Sequence, residues 1–202
     1  MPRVLAHHDF IDTPWKNGRG VTTEIFRMDA KGQMVFRISS AVVTESGDFS
    51  DFTGYDRSLV NIGAGDMYLT HGVASSDGPG DVLAPMAVTH FDGGVKTYCR
   101  VSEGTRDLNI FCAKNQYFAS TIVRKLIAPE FFPVPVLSNT LIFVVEGSLV
   151  VQNSERLQFF VQQGDALLEE SKESRLQDRW MLASASNQTC VLVTIVFRAT
   201  DP

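Results

Sequence analysis

The stretch LVNIGAGDMYL, residues 59–69, places two short apolar runs on either side of a glycine-rich turn. A second stretch, LIFVVEGSLVV at residues 141–151, repeats this pattern, and the turn glycines Gly65 and Gly147 correspond. Each stretch predicts a strand, a turn and a second strand, in which glycine supplies the positive φ that a tight turn requires. The repeat predicts that one β unit occurs twice in the chain, although apolar–glycine–apolar segments also arise by coincidence.

The rest of the chain also consists of short apolar runs separated by turn-forming residues. Short apolar runs alternate with Gly, Asp, Asn and Pro at spacings of roughly 8–12 residues, which is typical of a β sandwich or barrel, and helical periodicity is nearly absent. In the strand predicted at residues 35–39, Arg37 shares a face with Val35 and Ser39, so it points either into a pocket or into water. Further strands are predicted at residues 59–62, 67–70, 87–91, 96–101, 108–112, 118–124, 140–145, 148–152, 157–161, 166–169, 179–183 and 190–197.

A proline-rich segment divides the chain. Pro129, Pro133 and Pro135 fall within a few residues of one another, and proline cannot donate the backbone hydrogen bond that a central strand needs. We therefore predict two β units, residues 1–125 and 136–202, joined by a connector at residues 126–135.

Composition excludes several classes of protein. The chain has 202 residues, of which 44% are hydrophobic and 20% charged, as in soluble globular proteins. Its formal net charge is -5 and it contains no basic tract, so we predict no nucleic-acid partner. No apolar run approaches the ~20 residues that span a bilayer, and the first residues lack an apolar signal core, which predicts no membrane partner and a cytoplasmic location. The three cysteines are too scattered for a disulfide framework and are predicted to be buried thiols.

The densest polar segment is PWKNGRG at residues 14–20, which runs into TTEI at residues 22–25. An indole, two cations, an amide, two hydroxyls and a carboxylate in so few positions need a ligand or one another to satisfy their hydrogen bonds. The glycines beside them would let the backbone approach a guest. The segment therefore predicts a binding loop that feeds a strand.

This segment also carries a resemblance to the HutD/Ves family, small bicupin proteins associated with histidine utilisation and stress responses in bacteria. Arg19 and Leu108 depart from the family pattern, which has glycine and phenylalanine there. The resemblance implies an all-β fold of two cupin-like β-barrels packed as one compact unit, and a role near histidine breakdown with a small carboxylate such as formylglutamate or urocanate as ligand. The matching segments are residues 14–18, 20, 23–24, 36–39, 47–52, 54–59 and 106–110.

A carboxylate or formamide ligand needs cationic forks and amide donors, and Arg gives planar, bidentate recognition of a carboxylate. Glu24 and Asp107 would orient the cations or accept a ligand N–H. The alternative is that these polar groups are structural bridges between barrel strands. The predicted ligand-binding residues are Lys16, Asn17, Thr23, Glu24, Arg37, Arg57 and Asn109.

Signals for a metal or a nucleophile are weaker. Cupins that bind metal supply a His-x-His pair, and none of the four histidines forms one on a strand. His71 and His90 leave one alternative, since Asp92 or Glu103 would add a carboxylate ligand. No Gly-x-Ser-x-Gly elbow is present. We predict no metal and no cofactor.

The leading interpretation is a metal-independent binding or regulatory protein that captures a small carboxylate metabolite of histidine utilisation. The alternative is a hydrolase or isomerase acting on the same ligand class, with Glu24 as general base and Arg37 or Lys16 stabilising an oxyanion. A third reading is a purely structural or dimerising module. A homodimer is expected only by analogy with other cupins.

Overall fold

The structure is a computed structural model of the chain. Every regular element in its described part is a β-strand, apart from one 3-10 turn at His7–Asp9. The all-β fold class predicted from the sequence is therefore confirmed. No helix in that part is long and apolar enough to cross a membrane. The structure describes residues 2–15, 20–72, 80–127, 132–135, 139–153, 156–170, 179–185 and 189–200.

The chain divides into two compact units. The N-terminal unit comprises Phe10–Phe118 with Thr200, and the C-terminal unit comprises Met1–Asp9 and Ala119–Ala199. These bounds differ from the predicted 1–125 and 136–202 in the first nine residues and in residues 119–135, which also belong to the C-terminal unit. The reason is backbone pairing: strand β1 (Arg3–Leu5) runs antiparallel to Ala166–Glu169, so the start of the chain extends a sheet of the C-terminal unit.

The N-terminal unit contains two sheets. Its strands are β2 (Ile11–Pro14), β3 (Val21–Ala30), β4 (Gln33–Val42), β5 (Gly47–Asp48), β6 (Tyr55–Asn61), β7 (Met67–His71), β8 (Asp81–Leu83), β9 (Val88–Asp92), β10 (Thr97–Val101) and β11 (Arg106–Ala113). The larger sheet has the order β2-β3-β4-β11-β6-β9, and the smaller has the order β5-β10-β7-β8.

The C-terminal unit also contains two sheets. After β1, its strands are β12 (Tyr117–Leu126), β13 (Phe132–Pro135), β14 (Asn139–Glu146), β15 (Ser148–Gln152), β16 (Gln158–Gln162), β17 (Ala166–Glu169), β18 (Arg179–Ser184) and β19 (Cys190–Ala199). The sheet orders are β1-β17-β14-β19-β12 and β13-β18-β15-β16. The prolines of the predicted connector exclude a central strand, and β13 is indeed an edge strand.

The predicted repeat is present as a repeat of topology. The order β4-β11-β6-β9 matches β12-β19-β14-β17, and β5-β10-β7-β8 matches β13-β18-β15-β16. The predicted hairpins are wrong, because β6 and β7 lie in different sheets, as do β14 and β15. Gly147 has the expected positive φ of 79°, whereas Gly65 does not. Gly65 instead permits a close approach, since a Cβ there would collide with the Glu103 carbonyl oxygen.

The two units are filled differently. The core of the C-terminal unit is a continuous apolar cluster built from seven of its strands, including Ile142, Leu149 and Leu192, each fully buried. The N-terminal unit has a smaller apolar cluster around Leu59, Met67 and Cys99, contributed by β6, β7, β8 and β10. The space over β4 and β11 is not filled by this cluster, and it forms a cavity.

Candidate functional site

A cavity of about 650 Å³ lies in the N-terminal unit, over the inner face of the larger sheet. Because side chains alternate along a strand, every second residue of β4 and of β11 reaches this face. Aromatic groups, among them Trp15, Phe49 and Phe52, complete the walls. The cross-strand neighbours on the floor are Arg37 and Phe111, Ser39 and Asn109, and Ala41 and Asp107.

Arg57, on β6, brings a buried positive charge to this floor. Its side chain is only 6% exposed, and the guanidinium carbon lies 4.0 Å from the centre of the Phe49 ring. Nε donates a hydrogen bond of 2.8 Å to Oδ1 of Asn109, and Nη2 donates to the same oxygen. Burial lowers the pKa of Arg57 to about 10, so the group stays charged at neutral pH. Within the described residues, no carboxylate forms an ion pair with it.

Asp107 lies behind Asn109 and is 2% exposed. Its Oδ1 accepts hydrogen bonds from the Ala41 backbone N–H at 3.1 Å and from Asn109 Nδ2 at 2.8 Å. Asn109 therefore links the carboxyl group of Asp107 to the guanidinium of Arg57. Burial raises the pKa of Asp107 to about 6, against the opposing effects of Arg57 and of these hydrogen bonds. The result is an unusually basic carboxyl group at the cavity wall.

Arg37 points into the cavity rather than into water, which resolves the alternative that its strand left open. Its Nε donates to Oε2 of Glu24 at 2.7 Å, and the two side chains are 16% and 19% exposed. Glu24 does not itself line the cavity. Arg37 is therefore neutralised by a partner within the protein, whereas Arg57 is not neutralised in this way.

Trp15 forms part of the cavity wall, and it is held in place by β3. Its indole Nε1 donates to Thr22 Oγ1 at 2.8 Å, and its backbone N–H donates to the Gly20 carbonyl at 2.8 Å. A Cβ on Gly20 would meet the indole ring at 2.8 Å. Gly20 thus makes room for Trp15, and Gly20 is not among the residues that line the cavity.

The structure brings together three of the predicted ligand-binding residues, Arg37, Arg57 and Asn109, at one cavity. It does not bring Thr23 there, because the Thr23 hydroxyl points away and donates to Asp12 Oδ1 at 2.6 Å. Its neighbour Thr22 lines the cavity instead. Lys16 and Asn17 lie outside the described residues.

The predicted set of ligand-binding residues left out the aromatic side chains of the cavity walls and gave Asp107 only a supporting role. One signal was available. In the segment DLNIF at residues 107–111, polar and apolar residues alternate, which places Asp107 and Asn109 on one face of a central strand. Such groups, once buried, must be hydrogen-bonded.

The alternative sites do not assemble. His71 Nδ1 lies 2.9 Å from Thr97 Oγ1, and His90 Nδ1 lies 2.7 Å from Ser58 Oγ. Among the described residues, no three His, Cys, Asp or Glu side chains cluster as metal ligands. All three cysteines are buried and free of disulfides, as predicted. Cys99 lines the cavity, but burial raises the pKa of its thiol to about 12, so it is not a thiolate nucleophile at neutral pH.

Two units of paired sheets with one strand order define a bicupin, and the comparisons with known proteins agree. A solved conserved protein of unknown function from Pseudomonas aeruginosa PAO1 is 25% identical, with a TM-score of 0.85 over 98% of each chain. HutD from Pseudomonas fluorescens SBW25, solved under a formate condition, is 28% identical, with a TM-score of 0.76 over 98% of this chain and 100% of that one. A cupin 2 conserved barrel domain protein from Leptotrichia buccalis is 8% identical, with a TM-score of 0.55 over 98% and 96% of the two chains, and shows the fold alone.

The chain belongs to the HutD family, whose model matches residues 7–190. It is also 36% identical over 121 residues to an uncharacterized 21.2 kDa protein in the hutC 3' region of Pseudomonas putida. That alignment covers 58% of this chain and 61% of the relative. The predicted resemblance to the family is thus confirmed.

Proposed function

We propose that the chain is a metal-independent binding protein that captures a small carboxylate metabolite of histidine utilisation, of the formylglutamate or urocanate kind, and that it has a regulatory role there. The single observation that carries this proposal is Arg57. Its charge is buried at the floor of a cavity and, within the described residues, has an amide as its hydrogen-bond partner rather than a carboxylate.

A buried charge is costly unless it is paired, and an anionic ligand would supply a counter-charge hydrogen-bonded directly to Arg57, which Asp107 behind Asn109 does not. The Nε edge of the guanidinium already donates to Asn109, so Nη1 and the remaining Nη2 hydrogen are left for a ligand. The Phe49 ring packs against one flat face of the guanidinium. The group therefore has one open edge, which suits the two oxygens of a carboxylate.

The enzyme alternative depends on Glu24 as general base. Glu24 accepts a charge-assisted hydrogen bond from Arg37, and it is not among the residues that line the cavity. A general base must lie within hydrogen-bond reach of the proton that it removes, and Glu24 is instead held by Arg37 outside the cavity lining. The geometry thus favours the binding protein over the hydrolase or isomerase.

Thermal unfolding with a ligand panel tests the proposal. The panel holds formylglutamate, urocanate, histidine, glutamate and divalent metal ions, each added to the wild-type protein. A ligand at about 100 times its dissociation constant adds about 2.7 kcal/mol to the free energy of unfolding. For a chain of this size we expect the midpoint to rise by roughly 5–10 °C with a carboxylate.

Two variants serve as the test and its control. Arg57→Met keeps the length of the side chain and removes the charge, and we expect it to lose the carboxylate-induced shift. Arg100→Gln removes an exposed arginine that lies over Tyr68, away from the cavity, and should retain the shift. A shift with metal ions alone, or a carboxylate shift that survives in Arg57→Met, would contradict the proposal.

A further inference from the structure

We propose that Asp107 takes up a proton when a carboxylate binds beside Arg57, so that the neutral Asp107 carboxyl donates a hydrogen bond to the bound ligand. The proton comes from solvent, and no covalent bond changes. This inference rests on the proposed function, and it concerns the regulation of the same site: ligand affinity would depend on pH near neutrality.

The geometry leaves one oxygen of Asp107 available. Oδ1 is used twice, by Ala41 N–H and by Asn109 Nδ2. No hydrogen bond reaches Oδ2 from any residue in the described ranges, and Asp107 lines the cavity. Oδ2 is therefore the atom that a guest would meet. As an ionised oxygen it can only accept a hydrogen bond, and a ligand carboxylate has no proton to donate.

The free oxygen of Asp107 and the open edge of Arg57 belong to one cavity, because both side chains line it. Asn109 lies between the two groups, since its amide accepts from Arg57 and donates to Asp107. A ligand whose carboxylate binds the open edge of Arg57 would therefore bring a second negative charge into the cavity that Asp107 lines. A second negative charge in the same buried site disfavours the ionised form of Asp107, and proton uptake removes the repulsion.

The surroundings of Asp107 favour this proton uptake. From β6 the positive charge of Arg57 stabilises the carboxylate, from β11 Arg106 does so weakly, and from β10 Cys99 faces it as a neutral thiol. Burial outweighs these effects and already brings the pKa of Asp107 to about 6 in the empty site. A bound anion would neutralise the charge of Arg57, which otherwise stabilises the Asp107 carboxylate. The negative charge of the anion would also repel that carboxylate, so the pKa of Asp107 would rise above neutrality.

Linkage then fixes the sign of the effect. A group that gains a proton on binding makes affinity rise as pH falls, by up to about tenfold per pH unit. The window lies between the pKa of Asp107 in the free protein, about 6, and its higher value in the complex. Arg57 stays charged throughout this range.

Isothermal titration calorimetry of the full chain with N-formylglutamate tests the inference. The probe suits the purpose because its carboxyl groups remain ionised above about pH 6. Titrations at about pH 7.5 in HEPES and in Tris, which differ in ionisation enthalpy, give the number of protons exchanged. We expect uptake of about 0.5–1 proton per ligand, and a dissociation constant several-fold weaker at about pH 8 than at about pH 7.

Asp107→Asn tests whether the carboxyl group of Asp107 is the one that takes up the proton. Its amide keeps an acceptor for Ala41 and Asn109, and offers a permanent N–H donor to the ligand. We expect this variant to exchange no proton and to bind more tightly than the wild type at about pH 8. Asp29→Asn is the matched control: Asp29 is an exposed carboxylate of the same unit, paired with Arg27, and its loss should leave the proton uptake unchanged.

The outcomes separate the two proposals. Binding of N-formylglutamate without proton uptake by the wild type would overturn this inference and leave the proposed function standing. Proton uptake that persists in Asp107→Asn would also overturn it. If no carboxylate of the panel binds at any pH, the proposed function fails, and the inference fails with it. Should Asp107→Asn not fold, the wild-type comparison between buffers still decides.

Discussion

The two units of this chain share one order of strands but differ in what fills the space between their sheets. In the C-terminal unit, β14 contributes Ile142 and Val144 to a cluster of buried apolar side chains from both sheets. In the N-terminal unit, the equivalent strand β6 directs Arg57 inward, and β11 adds Asp107 and Asn109. One topology thus yields an apolar core in one unit and a partly polar cavity in the other.

The comparison teaches that backbone pairing does not dictate the interior. Hydrogen bonds between strands are made by main-chain groups, which every residue except proline supplies equally. The inward positions are free to carry any side chain that the surroundings can satisfy. Apolar side chains need only space, whereas the polar ones here need the continuous chain of hydrogen bonds from Ala41 through Asp107 and Asn109 to Arg57.

The largest expected effect tests the apolar core of the C-terminal unit. Leu149→Ala in β15 removes a fully buried side chain of the C-terminal cluster and leaves a void, and we expect the free energy of unfolding to fall by about 2–5 kcal/mol. Urea unfolding measures it. Leu157→Ala, at a side chain that is 46% exposed, is the matched control and should change stability by less than about 0.5 kcal/mol. Equal effects would show that the cluster is not the core of this unit.

The next effect distinguishes the polar unit by its response to pH. The pKa of Asp107 lies at about 6, above its ordinary value of 3.8, so between these values the folded state binds more protons than the unfolded chain. Stability therefore falls as pH rises from about 4 to about 6, on the order of 3 kcal/mol for this group alone. Unfolding of the wild type and of Asp107→Asn at several pH values should show this decline only in the wild type. A parallel profile in the variant would assign the pH dependence to other groups.

A smaller effect compares two buried polar groups. Asn109→Leu would leave Arg57 Nε without its acceptor, and we expect stability to fall by about 1–3 kcal/mol. Thr194→Val in the C-terminal unit removes a buried hydroxyl that has no hydrogen-bond partner among the described residues. That change should leave stability unchanged or raise it by up to about 1 kcal/mol. Chemical unfolding of both variants checks the contrast, which would be refuted by losses of similar size.

The smallest effect compares one ion pair from each unit. Glu24→Gln weakens the partly buried pair with Arg37, and a loss of about 1 kcal/mol is expected. Glu170→Gln weakens the pair with Arg3, whose side chains are 49% and 55% exposed, and should lower stability by less than about 0.5 kcal/mol. Thermal unfolding at low and at high salt measures both, and the Glu170 effect should be the one that salt removes. Recovery of the carboxylate unchanged after incubation with the wild-type protein would further argue against Glu24 as a general base.

Much of the fold could be predicted because short-range sequence patterns are enough to indicate where strands lie. The strands predicted at 148–152 and 166–169 have the observed bounds, and most others are displaced by one to three residues. The pairing of strands was not predicted. The segments at 59–69 and 141–151 read as hairpins, because a glycine between two apolar runs is the same signal whether the chain turns within one sheet or crosses to the other.

The site was predicted in part for a similar reason. Arg37, Arg57 and Asn109 were identified as ligand-binding candidates from their chemistry, and they do meet at one cavity. Thr22 and Thr23 carry the same hydroxyl, so their chemistry does not distinguish them, and the sequence-based prediction named Thr23. Only the register of β3 against β4 decides which of the two turns inward, since neighbouring residues of a strand point to opposite faces.

The sequence by itself determined that the chain is all-β, that it repeats one unit, and that it belongs with the HutD proteins, because these follow from local alternation and from residues read in order. Only the tertiary structure decided that Arg57 is buried beside an amide, that Asp107 stands behind it, and that Arg37 is already neutralised by Glu24. The physical reason is that the burial and the charge balance of a side chain depend on groups from other strands. Arg57 and Asn109, for example, are 52 residues apart, and no short stretch of sequence contains both.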